Sequence, residues 1–397
     1  MNSRISFKIN KQEITAFLII SLTFFLPNAI ASAIIFLFFA VYRFKIDKRM
    51  PGRMFYFYFI IYGIVVGLYN VVSNNYSSYS LIKQLYYCIL PFFYWNVGMI
   101  FSKTSKSSFY SYLFKAIFIY SIIDLLQVIT NMSNVSTLSL NEFRQQIGTG
   151  SILPAIGLYL IIFFSKEINI SKRQRTLSSL LMVFSLLVHF SRTHLLEFAI
   201  LILFSGVIKN LRKFWKIIII SLATVVVIYF IAPSFFNYFI SKIQNTFTEM
   251  NYFDADWTWT NINHNWRGYE NYCAIQQFSK ANLFEKLFGG GFGTTLDVHG
   301  NAFLVSSEDT LLFLHNGYLT HLLIWGIIGL AMYILWEIRL YFREKEIKTL
   351  KYRNLYRGLA IIVMIDSITV RSAFFSSSMY IILFLLSAIK HNEKYCY

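Results

Sequence analysis

Charge is scarce in this chain. Only 14% of its 397 residues are Asp, Glu, Lys or Arg, whereas 56% are hydrophobic and 19% aromatic. A soluble domain of this length has no interior large enough for that much apolar surface, which excludes a soluble class and leaves an integral membrane protein. Cysteine is scarce too. Cys88 falls in an apolar run, Cys273 in an expected outer loop and Cys396 in the expected inner tail, so no pair shares a compartment and no disulfide framework is implied. No His/Cys/Asp cluster has metal-ligand spacing. No internal repeat is visible, which argues against the pseudo-symmetric transporter folds. The N-terminal apolar run lacks a small-residue cleavage site, so Ile14–Pro27 is expected to be a retained first span.

What the chain has in quantity is apolar runs. About twelve recur, from Ile14–Pro27 through Met54–Val72, Leu81–Phe101 and Phe109–Thr130 to Leu311–Phe342, Tyr356–Ile368 and Phe374–Ile389. The expected fold is therefore all-α: a polytopic membrane helix bundle of about twelve transmembrane helices, one integral domain over residues 1–397. With a cytoplasmic N-terminus, the inner segments hold 27 Lys and Arg and the outer ones 8. That asymmetry fits the positive-inside rule and places both termini in the cytoplasm. It also accounts for the net charge of +17 without nucleic acid as a partner. The long connections are outer: residues 131–150, and residues 237–309 between the ninth and tenth spans. The second is rich in Trp and Tyr, which suit a membrane interface and suit stacking on sugars equally well. Within it, Trp266 to Phe288 reads as one amphipathic helix stopped by Gly289-Gly290-Gly291-Phe292-Gly293.

Several outer residues have side chains suited to chemistry. Arg192, in Ser191-Arg192-Thr193, sits at a tight turn where a charge near hydrocarbon asks for a reason: anchoring at the interface, or binding an anion with its planar fork. Glu197, one turn on, can hold Arg192 or His194 in place. Arg267, in Trp266-Arg267-Gly268-Tyr269-Glu270, stands where a helix N-terminus would favour phosphate; its alternative is a solvated pair with Glu270. Arg144 introduces a loop that re-enters the membrane. His315-Asn316 opens the Leu311–Phe342 run, ~48 Å long as a continuous helix, with Gly326 and Gly329 on or near the histidine's face. Counting back from Arg339 puts His315 about a turn above the acyl region, where its ordinary pKa suits a general base. Asp124 and Asp366 are intramembrane acids, a hint of a proton path; Asp366 is expected to pair with Arg371. Asp254-Ala255-Asp256 reads as a chance match to a metal motif.

At these residues the chain resembles the bacterial O-antigen polymerase and O-antigen ligase superfamily. The matching pieces are Ser191-Arg192-Thr193, Trp266-Arg267-Gly268-Tyr269-Glu270, the Gly289–Gly293 run, and His315-Asn316 ahead of Gly326 and Gly329, with Arg144 and Gly148 resembling a further loop. The resemblance implies an inner-membrane glycosyltransferase with its active site facing the periplasm. It implies a donor glycan on undecaprenyl diphosphate, membrane lipids as surroundings, a chain-length regulator protein as a further partner, and no metal or other cofactor. Carried over, Arg192 and Arg267 bind the donor diphosphate and His315 acts on the acceptor hydroxyl. Arg144, Asn316, Tyr318, Tyr269, Glu270 and Glu197 are the expected substrate-binding residues. The Gly-rich run and the aromatic loop favour a polymerase; a ligase passing polymer to lipid A–core is the alternative, and a polysaccharide or lipid transporter ranks lower.

Overall fold

The computed structural model describes residues 24, 26, 28–42, 53–73, 76–104, 109–132, 150–189, 191–205, 219, 229–230, 240, 257–304 and 309–392. Arg144 and the Asp254-Ala255-Asp256 stretch lie outside them. Among the described residues fourteen α-helices follow in order: α1 (Asn28–Tyr42), α2 (Arg53–Val72), α3 (Ser78–Thr104), α4 (Phe109–Met132), α5 (Leu153–Phe163), α6 (Ser165–Ile168), α7 (Lys172–Val188), α8 (Arg192–Phe204), α9 (Trp259–His264), α10 (Trp266–Lys280), α11 (Leu283–Phe288), α12 (Gly317–Phe342), α13 (Leu350–Thr369) and α14 (Ser377–Asn392). Among the described residues there is no strand, only a bridge between Leu296 and Leu311. Among the described residues, four stretches are long and apolar enough to cross a membrane: Met54–Val72, Ser78–Ser102, Phe109–Thr130 and Gly317–Glu346.

α3 and α14 make the centre. They approach so closely at Gly98 that an added Cβ would stand 2.2 Å from the Phe384 carbonyl oxygen. Pro91 lies inside α3 and has no N–H to give to the carbonyl of Tyr87, four residues back. The Tyr380 hydroxyl of α14 donates to that carbonyl at 2.9 Å, and Tyr56 of α2 donates to the next one, that of Cys88. A helix fault thus becomes a three-helix tie, because a buried carbonyl needs a partner. At the end expected to be cytoplasmic, Arg357 pairs with Glu344 and Lys351 with Glu167, joining α13 to the segments before it.

α12 departs from expectation. The Tyr318 hydroxyl donates to the Glu337 carboxylate at 2.7 Å across 19 residues. A straight helix would hold those positions ~28 Å apart, so α12 doubles back. The reversal is at Gly326, whose φ of 66° and ψ of −167° fall in a region open essentially to glycine. In a continuous helix the carbonyls of Leu323 and Ile324 would accept from residues 327 and 328. Here they accept from Gly290 N–H at 3.0 Å and Gly291 N–H at 2.9 Å. A Cβ on Gly326 would lie 2.4 Å from the Leu287 carbonyl, and one on Gly289 2.4 Å from Ile324. The two glycine segments therefore press backbone to backbone and complete each other's hydrogen bonds.

This corrects the single-rod reading of Leu311–Phe342. His315 precedes the helix, and its face is not shared with Gly326 and Gly329 along one axis. The boundary arithmetic counted straight through the break and fails with it. The expected single helix Trp266–Phe288 is also two, because Asn282 takes the N-cap position and its Oδ1 accepts from Glu285 N–H at 2.9 Å, starting α11 afresh.

Candidate active site

α10 starts where Asn265 Oδ1 accepts the Gly268 N–H at 3.1 Å, so Arg267 falls in the first turn and Glu270 one turn later on the same face. Tyr269 anchors the helix from its other side. Its hydroxyl donates to the Val298 carbonyl at 3.1 Å and accepts from Asn301 at 3.1 Å, and its ring meets Trp257 edge-on. Burial pushes the Tyr269 hydroxyl up to about 12, so it stays a donor. Much of the loop's aromatic content serves here: Trp257, Trp266 and Tyr272 pack on Tyr269, Leu296 and Leu314 as a small core. Trp259 and Phe303 differ, stacking on each other while both stay exposed.

The bridge between Leu296 and Leu311 brings residues 311–316 alongside this core. Gln84 of α3 fastens the arrangement from below. Its amide donates to the carbonyls of Thr294 and Leu312 at 2.8 and 3.0 Å and accepts from Gly293 N–H at 2.7 Å. His315 is then held by Glu270. One carboxylate oxygen accepts the His315 backbone N–H at 2.5 Å, and the other faces Nδ1 at 2.7 Å. Asn316 Oδ1 caps α12 by accepting from Tyr318 and Leu319 N–H at 3.1 and 3.3 Å. The histidine is thus fixed on both flanks.

The contact geometry suits one tautomer of the ring. An ionised carboxylate only accepts, so Nδ1 carries the hydrogen and Nε2 of a neutral ring carries a lone pair. The Glu270 side chain is 1% exposed and that of His315 31%. One partner is sealed and the other open, an arrangement that can orient the free ring nitrogen as a base.

A second group gathers where α8 meets α13. Ser191 caps α8, putting Arg192 at its first position, between α7 and α8 as the sequence suggests. Glu197 meets His194 Nδ1 at 2.6 Å, settling the open choice in favour of the histidine, and its carboxyl adjoins Asp366 of α13. This overturns the expected Asp366–Arg371 side-chain pair. Asp366 gives Arg371 only its backbone carbonyl, at 3.0 Å, closing the helix end. The Arg371 guanidinium instead lies 5.8 Å from the Phe313 ring centroid. Asp124 is likewise engaged, with His189 Nε2 at 2.8 Å and Ser185 at 2.5 Å.

Of the residues expected in the site, His315, Glu270 and Asn316 come together, with Arg267 one turn before Glu270 on the same helix. Glu197 belongs to the α8–α13 contact and Arg192 opens α8, while the exit of α13 at Ser372 packs against Gly317 near the first group. Tyr318 turns inward to Glu337, itself bonded to Ser367 of α13 at 2.7 Å. Tyr269, Tyr318 and Glu197 therefore make their described bonds within the protein. Sequence reading missed Gln84, the hold of Glu270 on His315 and the placing of Arg371. The separation of 45 positions from Glu270 to His315 leaves no local pattern to find.

Residues 177–334 match the family model described as O-antigen ligase. The matched segment is about two fifths of the chain and holds Arg192, Arg267, Glu270, His315 and the three glycines of α12. No curated protein matches the chain.

Proposed function

From an O-antigen ligase family domain at residues 177–334, we propose that this membrane protein joins glycan units at the periplasmic face of the bacterial inner membrane. The donor is an oligosaccharide on undecaprenyl diphosphate and the acceptor a sugar hydroxyl. The observation that carries the reading is the Glu270–His315 pair, with Nδ1 held by a buried carboxylate and Nε2 left for a substrate. In the step, the acceptor oxygen attacks the anomeric carbon of the donor while Nε2 takes its proton. The bond from that carbon to the phosphate oxygen breaks, and the lipid diphosphate leaves with the electron pair. Glu270 stabilises the imidazolium that forms. Arg267, in the first turn of α10 beside Glu270, and Arg192 at the start of α8 bind the diphosphate and neutralise its growing charge. Asn316 and Tyr269 support the site through bonds to its backbone, and Tyr318 and Glu197 through bonds to the side chains of Glu337 and His194.

The polymerase reading is preferred because the Gly-rich run and aromatic loop, rather than a bare His-Asn motif, shape the site. The ligase reading is favoured by the description of the matched family. One experiment separates them: lipopolysaccharide profiles of a deletion strain complemented with His315→Ala or Arg267→Ala protein present at wild-type level. A polymerase predicts single repeat units on lipid A–core. A ligase predicts long polymer retained on undecaprenyl diphosphate. Wild-type profiles from both variants would sink the catalytic roles altogether.

A further inference from the structure

Arg371 follows the end of α13, where Val370 and Arg371 N–H both donate to the Asp366 carbonyl, at 2.8 and 3.0 Å. The next residue packs on the opening turn of α12, where a Cβ on Gly317 would lie 2.3 Å from Ser372 N. The chain thereby carries Arg371 to the side of the histidine loop. Its guanidinium rests by Phe313, two residues before His315. Phe313 is itself braced by Tyr87 and Phe375 at 5.1 and 5.0 Å, so the platform under the cation is fixed.

The charge balance around this cation is unusual. The acid nearest in sequence, Asp366, has its carboxyl beside Glu197 and His194. The other acid of the site, Glu270, gives both oxygens to His315. Among the described residues, no carboxylate lies within ion-pair distance of Arg371. A half-buried guanidinium retains five N–H donors in a planar fork, a shape matched to the oxygens of a phosphate. It lies by Phe313, two residues before His315 in the chain, and outside the segment matched by the family model.

We propose that Arg371 is a third cation for the donor diphosphate, supported on Phe313 and contributed by the α13–α14 connection. The inference rests on the donor reading above. It predicts that the connection after α13 takes part in donor affinity, which a mere interfacial anchor would not do. A cation–π contact by itself needs no ligand and responds equally whether a diphosphate is present or absent.

The test uses the full-length protein in lipid nanodiscs and titrates undecaprenyl diphosphate, with undecaprenyl monophosphate as a second arm. Arg371→Ala should weaken diphosphate binding by about 10-fold or more, the loss expected when charge-assisted bonds to phosphate are removed. Arg371→Lys, which keeps charge but not the fork, should lose only a few-fold by the same reasoning. The monophosphate arm should shift less in both variants. Should Arg371→Ala fail to accumulate, the Lys variant carries the test alone, and affinity equal to wild type in it overturns the fork contact. Wild-type affinity in Arg371→Ala overturns the proposal and leaves the donor reading intact. No diphosphate binding by the wild type overturns both.

Discussion

Two histidine–carboxylate pairs in this molecule have nearly the same inner geometry and opposite surroundings. Glu270 meets Nδ1 of His315 at 2.7 Å, and Glu197 meets Nδ1 of His194 at 2.6 Å. The first pair leaves its imidazole 31% exposed, whereas the His194 side chain is 11% exposed and faces a second acid, Asp366. A carboxylate orients either ring equally well. What separates them is access for a substrate on the far nitrogen, and the first pair alone combines that with an arginine one turn away on the same helix. The hydrogen bond gives orientation; the loop held by Gln84 and the Leu296–Leu311 bridge gives reach.

The sharpest way to break the comparison is to change the orienting group without changing its shape. In Glu270→Gln the amide oxygen can still accept the His315 backbone N–H, but the amide nitrogen can only donate towards Nδ1. The ring must then carry its hydrogen on Nε2, and the base is lost. Transfer should fall about 100-fold, within the usual contribution of a positioned base. The measurement is single-turnover glycan transfer at fixed protein level across pH. Near-wild-type transfer with an unchanged pH profile would remove Glu270 from the mechanism and reduce the two pairs to equals.

A smaller effect is expected from the closed pair. His194→Ala deletes the basic partner of two buried acids, Glu197 and Asp366, at a helix–helix contact. Destabilisation of roughly 1–3 kcal/mol is the usual cost of leaving a buried polar group unpaired. The protein should accumulate less in the membrane, while transfer per assembled molecule stays within a few-fold of wild type. Thermal unfolding in nanodiscs and a glycan ladder normalised to protein level separate these. Loss of transfer at normal abundance would make His194 a second base.

The contrast was partly visible in the chain itself. The apolar runs, the start of a loop helix near Trp266 and the spacing of Arg267 and Glu270 are local patterns, and local patterns survive into the fold. The reversal at Gly326 was not visible. A lone glycine in an apolar run reads as a packing residue, and its role here depends on Gly290 and Gly291 supplying the N–H groups that two freed carbonyls need. The same holds for Asp366, whose nearest arginine in sequence is not its partner in space. Long-range pairing chose between alternatives that spacing left equal.

The reversal also sets up the smallest predicted effect. By folding back, α12 stacks His321 on Tyr333 at 3.7 Å and on Trp325 at 4.8 Å, with Phe59, Phe374 and Phe375 closing the cage. His321 is fully buried, and among the described residues neither ring nitrogen has a hydrogen-bond partner. An imidazole so placed bears the desolvation of two polar atoms without return, so an apolar ring of similar shape should be tolerated or preferred. His321→Phe adds a little volume, which in a tight core costs typically 1–3 kcal/mol. The two effects oppose each other and are of similar size. The variant should therefore unfold within a few degrees of wild type and transfer glycan normally. A large loss of transfer with intact stability would mean that the buried ring takes part in chemistry, and would dissolve the distinction between open and closed histidines from which the reading of His315 starts.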